Sequence, residues 1–368
     1  MALRQLIDRS GAVPADIRTR RHAVVDRRPR VMAATDLGSS SEAVVSRAHA
    51  IAVGLGAQLL LVHVVDLAKS ARAVGRRRTR ARLALDAQSS TLAGLGSDVQ
   101  TSVRTGRPHA VVADLAIEWD ADLVVLGPYR RRFGDSFRGT TAERIIRRAE
   151  RPVLVVNRES AGPYEHVLLA ADLSRMSAGI AHVTRQLGLL NAARASVVHS
   201  LQHTRGAMLY LAGVSESEVG KYQQALRELA SSEIDSLLAS AGLNSARFAV
   251  FPHESSPFRA IEQVADRLGS DLVVVGASRF PLFKRVFIGS VSNEVLRGIE
   301  HDVLLISPAA ARRAQRRASA AVRHDARASG TTATSQIARA SVTRVAPPRK
   351  YSAKRDRPCL PMTIRSAA

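Results

Sequence analysis

The stretch RVMAATDLGSSSEAVVSRAHAIAVGLGAQLLLVHVVD, residues 30–66, recurs in outline as HVLLAADLSRMSAGIAHVTRQLGLLNAARASVVHSL, residues 166–201, and this recurrence decides the fold. Each copy reads as a short apolar strand that turns at an aspartate, a helix, and a second apolar strand that runs to a histidine. Asp36 to His63 and Asp172 to His199 are both 27 residues apart. Farther out, Pro108 to Gly127 and Pro257 to Gly276 are both 19 apart, and Gly139 to Pro152 and Gly289 to Asp302 are both 13 apart. Landmarks held in register over this length mark a tandem repeat, each unit roughly 130 to 150 residues and so large enough to bury its own core.

Within the first unit, strands are expected at Arg30 to Thr35, Leu59 to Val65, Asp98 to Val103, Leu123 to Leu126 and Val153 to Val156. Helices fill the intervals. Ser39 to Ser41 are suited to capping the first of them, Gly56 stops it, and an Arg-rich polar helix is expected over Ala68 to Leu95. Trp119 closes the third helix as a packing residue. The second unit starts at His166 to Ala170 and repeats the order, with 13 extra residues between His199 and Pro257, in and around a long helix from Ser215 to Leu238. Strands that alternate with helices imply parallel pairing through right-handed crossovers. The fold class is therefore α/β, each repeat a doubly wound five-stranded sheet of Rossmann-like form, with ligands at the carboxyl edge of the strands.

Composition agrees with buried parallel strands: aromatic residues are only 4% of the chain, so the cores are built from Val, Leu, Ile and Ala. The formal charge of +22 resides mostly at the ends. Residues 1–30 hold eight Arg and three Asp, and residues 309–368 hold twelve Arg, two Lys and two Asp, which leaves about +5 for the repeats. Basic tails touch polyanions through counterion release, so contact of the tails with nucleic acid or an acidic surface is an open alternative to a solvated extension. The sole cysteine, Cys359, lies in the tail, which fits a reducing, cytoplasmic compartment. No apolar run approaches the ~20 residues of a membrane span, and the first 30 residues lack the apolar core of a secretory signal. The expected organisation is a basic extension over residues 1–29, repeats over 30–158 and 165–308, and a disordered Arg/Ala-rich tail over 309–368.

The residues that carry chemistry fall at strand ends in both repeats. Asp36 and Asp172 follow the first strands, Gly127 and Gly276 follow the fourth, and Gly139-Thr140 and Gly289-Ser290 begin the last helices. A helix start with free N–H groups, a glycine that admits close backbone approach and a hydroxyl together suit phosphate. A carboxylate across the edge suits a base amino group or a ribose hydroxyl. The plainer reading is that the aspartates and hydroxyls only cap helices, and that His63 and His199 are packing positions. There is no metal-spaced Cys/His set, no Gly-x-Ser-x-Gly elbow and no Walker loop, so no enzyme activity is expected beyond slow hydrolysis of a held nucleotide.

Over residues 30–157 and 165–308 this pattern resembles the universal stress protein family in tandem form, which implies the adenine nucleotide alpha hydrolase-like version of the fold. The resemblance also implies that the last strands, Val153 to Val156 and Val303 to Ile306, pair across a two-fold, so that the chain is an internal pseudo-dimer. In ATP-binding members an Asp after the first strand contacts the adenine side, and a Gly-x-x-Gly-x9-Gly-Ser/Thr loop holds phosphate and ribose. Repeat two matches with Asp172, Gly276, Arg279, Gly289, Ser290 and Ser292. Repeat one matches with Asp36, Gly127, Arg130, Gly139 and Thr140, one residue short and with Ala142 in place of the second hydroxyl. Arg130 and Arg279 stand where the family has its second glycine. They either obstruct the phosphate path or supply a cationic clamp for it. The resemblance implies a stress-response protein that takes ATP or another adenine nucleotide mainly in repeat two, with Mg²⁺ only as the nucleotide's companion. The alternative is a regulatory stress protein that binds no nucleotide and uses its edge loops and basic tails on protein partners.

Overall fold

The computed structural model of the chain describes residues 27–38, 41–67, 70–128, 141–159, 162–172, 175–191, 193–201, 214–240, 247–252, 256–277 and 289–316. In repeat one the elements run β1 (Arg30–Ala34), α1 (Ser41–Leu55), β2 (Gln58–Val65), α2 (Ala71–Gly94), β3 (Asp98–Thr105), α3 (Pro108–Glu118), β4 (Leu123–Leu126), α4 (Thr141–Ala149) and β5 (Val153–Val155). Repeat two runs β6 (His166–Ala170), α5 (Arg175–Gln186), β7 (Arg194–Leu201), α6 (Glu216–Ser240), β8 (Arg247–Pro252), α7 (Pro257–Leu268), β9 (Leu272–Gly276), α8 (Ser290–Gly298) and β10 (Asp302–Ile306). A last helix, α9, spans 308–316. The long helices α2 and α6 are 24 and 25 residues, so the extra residues of repeat two lie in the connections around α6, chiefly the one before it.

The strands form one ten-stranded sheet in the order β3-β2-β1-β4-β5-β10-β9-β6-β7-β8. Every pairing is parallel except β5 with β10, where Val155, Leu154 and Val153 stand opposite Val303, Leu304 and Leu305 in antiparallel register. The expected pseudo-dimer through the last strands is thus present. The reason is legible in those strands: Val153, Leu154, Val155, Val303, Leu304 and Leu305 are all buried, so each edge is apolar on both faces and open to a partner. Satisfying one edge with the other removes two unpaired rows of backbone N–H and C=O groups.

Two cores sandwich the sheet, and both cross the repeat boundary. One gathers Val44, Leu59 and Leu85 with Ile180, Ile234 and Leu304. The other gathers Val112, Ile145 and Val153 with Val264, Val295 and Leu305. Helices of the two repeats also meet directly. A Cβ on Gly188 would lie 3.0 Å from Leu55 Cδ2, at the ends of α5 and α1. On the opposite face Arg297 of α8 stands 3.5 Å from the buried Glu143 of α4.

A buried ionic network ties the linker between the repeats to both of them. Asp302, fully buried, accepts hydrogen bonds from the Asn157 N–H at 2.8 Å, the Arg158 N–H at 3.0 Å and the Tyr164 hydroxyl at 2.7 Å. Arg47 of α1, also buried, places Nε 3.4 Å from the same carboxylate, lies over the Tyr164 ring at 4.1 Å and donates to the Gly162 carbonyl. Burial first, then the adjacent Asp302 carboxylate, holds the Tyr164 phenol well above its ordinary pKa.

Two expectations about the ends need correction. The expected N-terminal extension over residues 1–29 includes Arg27, which pairs with Asp120 at 2.8 Å and Asp122 at 3.0 Å and so belongs to the fold. The tail expected to be disordered from residue 309 begins as a helix, with Ala310, Ala311 and Ala314 buried in the first core and Arg313 paired with Asp120 of repeat one. Alanine carries the smallest helix penalty, and a stripe at i, i+1 and i+4 is enough to bury one narrow face. That stripe meets Gly179 of α5, where an added Cβ would come within 2.7 Å of Ala311 Cβ. Residues 1–26 and 317–368 lie outside the described residues.

Candidate functional site at the strand-end crevices

In a doubly wound sheet the chain leaves the first strand in one direction and later returns to its other side. The carboxyl ends of the two neighbouring strands then splay around a crevice. That switch point lies between β1 and β4 in repeat one and between β6 and β9 in repeat two. Asp36 follows β1 and Gly127 follows β4, while Asp172 follows β6 and Gly276 ends β9. The structure therefore brings the sequence-selected aspartate and glycine of each repeat to the same crevice.

Both aspartates are exposed, and both are positioned by a serine five residues on. Ser41 Oγ donates to Asp36 Oδ1 and accepts from the Asp36 N–H at 3.1 Å, and Gly38 N donates to Asp36 Oδ1 at 2.9 Å. In repeat two the buried Ser177 donates to Asp172 Oδ1 at 2.9 Å. Asp36 is thereby held in a turn before α1, and Asp172 is tied to α5 through Ser177. The recurrence of Ser at Asp plus five in both repeats is the sequence signal that identifies Ser177, which sequence reasoning had not singled out.

The histidines hold the same turn from the other side. His63 Nδ1 lies 2.9 Å from the Thr35 carbonyl, and His199 Nδ1 lies 2.8 Å from the Ala171 carbonyl. A carbonyl can only accept, so Nδ1 carries the proton in both rings and Nε2 is the acceptor nitrogen of the neutral form. Each histidine fastens the residue immediately before the aspartate. The two are positioning residues for the crevice, with a defined hydrogen bond that the packing interpretation did not include.

At Gly276 an added Cβ would lie 2.6 Å from Ile180 Cδ1 of α5, the end of a side chain that would have to swing aside. Its carbonyl accepts from the buried Ser292 Oγ at 2.8 Å, which pins the end of β9 to α8. In repeat one the corresponding Ala142 is buried and has no hydroxyl, and Gly127 is less constrained, with an added Cβ 3.3 Å from Val44 Cγ2. Helix α8 begins with Gly289 as N-cap, which has no side chain to cap the first amides. Ser290, its first residue, is exposed. Arg130, Gly139, Thr140 and Arg279 lie outside the described residues. Among the described residues no group of three or more His, Cys, Asp or Glu side chains is arranged to hold a metal ion, and no helix is long and apolar enough to cross a membrane.

The sequence model of the universal stress protein family matches residues 28–157 and 163–307. No curated protein matches the chain by sequence. Among solved structures, the chain is similar to a functionally unknown protein from Pseudomonas aeruginosa at 17% identity and a TM-score of 0.53, covering 81% of this chain and 98% of that one. A Pseudomonas aeruginosa structure assigned to the universal stress proteins aligns at 19% identity and a TM-score of 0.53, covering 81% and 99%. A universal stress protein from Archaeoglobus fulgidus aligns at 14% identity and a TM-score of 0.53, covering 76% and 97%. At these identities the likeness concerns the fold.

Proposed function

The chain belongs to the universal stress protein family, with two copies of the family's domain in one polypeptide, and on that premise we propose that it is a stress-response protein that takes an adenine nucleotide in repeat two. The observation that carries the reading is the crevice between β6 and β9, where an exposed, pre-positioned Asp172 faces the switch point together with the side-chain-free Gly276. The start of α8, with Gly289 as an N-cap that brings no capping side chain, adds backbone amides of the kind that donate to phosphate oxygens. These groups fit the nucleotide by chemistry: a carboxylate for base or ribose donors, close backbone approach at glycine, and amide donors for phosphate. Repeat two is the better cradle because Ser292 fixes the Gly276 carbonyl, while Ala142 provides no such bond in repeat one. Repeat one is assigned a structural role, and the whole is assigned to the cytoplasm.

Two measurements test this. Protein isolated without added nucleotide is denatured and its released small molecules are identified by mass spectrometry. In parallel, wild type and Ser290→Ala are titrated calorimetrically with ATP and Mg²⁺. Retained or titratable nucleotide that weakens in Ser290→Ala supports the reading. An empty protein that takes up no adenine nucleotide at millimolar concentration refutes it and favours the alternative of a regulatory protein without nucleotide. The engagement of Asp36 and Asp172 with Ser41 and Ser177 is the observation in keeping with that alternative.

A further inference from the structure

The modest net charge of the repeats conceals a segregation that the fold exposes. Helices α2 and α6 occupy equivalent places in the two repeats, yet α2 carries Arg72, Arg76, Arg77, Arg78, Arg80 and Arg82 against the single acid Asp86. Helix α6 carries Glu216, Glu218, Glu228, Glu233 and Asp235 against Lys221 and Arg227. All six arginines of α2 are exposed, and they fall within eleven residues, about 15 Å of helix. Ala81, Leu85 and Leu92 are the buried residues of α2 and define its inner face. At 100° per residue, Arg72 and Arg76 then point outward, Arg80 lies on the outward arc, Arg77 and Arg82 line the two flanks, and Arg78 lies on the side of Leu85, near the start of the helix, where it is exposed.

Among the described residues, Arg72, Arg76, Arg77, Arg78 and Arg80 have no carboxylate within ion-pair distance, whereas several other surface arginines do. Arg28 stands against Asp98, Arg104 against Glu118, Arg148 against Asp114 and Arg259 against Glu262. On α2, only Arg82 has a carboxylate within ion-pair distance among the described residues, Asp86 at 3.5 Å, and both groups are largely solvated. Six like charges on three turns of helix repel one another, and this is relieved by a dense row of external anions.

We propose that the arginine face of α2 is a docking surface for the phosphate backbone of a nucleic-acid duplex. Six arginines over about 15 Å is roughly one charge per 3 Å, close to the ~3.4 Å of axis per phosphate along one strand of a duplex. Arginines on the outward arc and on both flanks suit a helix laid against or into a groove bordered by phosphates. No aromatic residue occurs in α2, so the face lacks the stacking platform of single-strand binders and reads backbone without base sequence. Leu83 is the one large apolar side chain exposed on the helix, too little for insertion into a lipid surface, which needs a continuous apolar face. The acids of α6 are a weaker counterpart for a second copy: they are spread over the helix, with Glu218 engaged by Ser215 and Glu228 by Gln224.

The test uses the full-length chain. Binding of a fluorescein-labelled 20-base-pair random-sequence DNA duplex is followed by anisotropy across a salt series for wild type, R76Q/R77Q/R78Q and R76K/R77K/R78K. Glutamine and arginine have similar helix propensity and the sites are exposed, so circular dichroism should be unchanged. The glutamine variant should lose about 2.7 from the magnitude of the log–log salt slope, at about 0.9 per phosphate contact, and bind about 100-fold or more weakly at 0.1 M salt. The lysine variant should keep the slope. The proposal is overturned if wild type does not bind the duplex, or if the glutamine variant keeps the wild-type slope, which would assign binding to the tails. It is equally overturned if the same arginines govern only pelleting with phosphatidylserine vesicles or only self-association in sedimentation.

Discussion

Asp302→Ala should cost this protein on the order of 3–5 kcal/mol, because it removes one partner of a buried ion pair and leaves Arg47 charged in the interior. The same change strips acceptors from the Asn157 and Arg158 amides and the Tyr164 hydroxyl. Arg47→Met should cost less, since the Asp302 carboxylate keeps those three donors. The double variant Arg47→Met/Asp302→Asn should cost less than the sum of Arg47→Met and Asp302→Asn, with a coupling of at least about 1 kcal/mol. Urea unfolding at pH 7 reads these values, with two probes that separate the repeats: fluorescence of Trp119, the chain's one tryptophan, reports repeat one, and circular dichroism reports the whole. The continuous sheet and shared cores predict coincident transitions in wild type, and the network's place at the linker predicts that they part in Asp302→Ala. A loss below about 1 kcal/mol, or strictly additive costs in the double variant, would refute the assignment of Asp302 as the tie between the repeats.

Gly179→Ala should push α9 off α5, because the new Cβ would lie 2.7 Å from Ala311 Cβ and neither group has a flexible end to swing away. Overpacking of about 1–3 kcal/mol outweighs the roughly 0.5–1 kcal/mol gained by replacing a helical glycine. Hydrogen exchange should show lost protection over 308–316, and unchanged protection there would count against the packing of α9 on α5. Acid should destabilise the protein as pH falls below the ordinary histidine value of 6.5. Burial first and then Arg185 depress the His182 pKa, with a hydrogen bond to the Ala314 backbone opposing them. Burial first and then Arg158 depress that of His301, opposed by Asp266, Glu300 and Asp271. A depressed histidine is neutral in the fold and binds protons more readily when unfolded, so its stabilisation is complete above 6.5 and is lost as pH falls through its folded-state pKa. Melting temperatures from pH 8 to 5 should fall, and fall less in His182→Gln. A flat profile in wild type would contradict this.

Much of the site was readable because the repeat doubles every signal. The spacing of Asp36 and Asp172, and of Gly127 and Gly276, located both crevices, since alternating strands and helices leave only the carboxyl edge for such residues. Ser177 and the histidine hydrogen bonds were harder to read. A serine near a helix start and a histidine at a strand end have many uses, and only the turn at Asp172 shows which carboxylate or carbonyl each one reaches. Helix α9 reads as tail in the sequence because an Ala- and Arg-rich stretch has no marked apolar period. Three alanines suffice only where a glycine opposite them lets two helices approach closely.

The sequence by itself determined the tandem α/β architecture, the strand-end placement of Asp172, Gly276 and Ser290, and an apolar last strand in each repeat, because hydrophobic period and landmark spacing are local properties of the chain. The tertiary structure alone decided what lies far apart in sequence. It set the Asp302 carboxylate beside Arg47 of the other repeat, α9 on α5, and the arginines of α2 on an exposed face where, among the described residues, only Arg82 has a carboxylate within ion-pair distance. Charge pairing and close packing depend on distances in space, and composition averages over them.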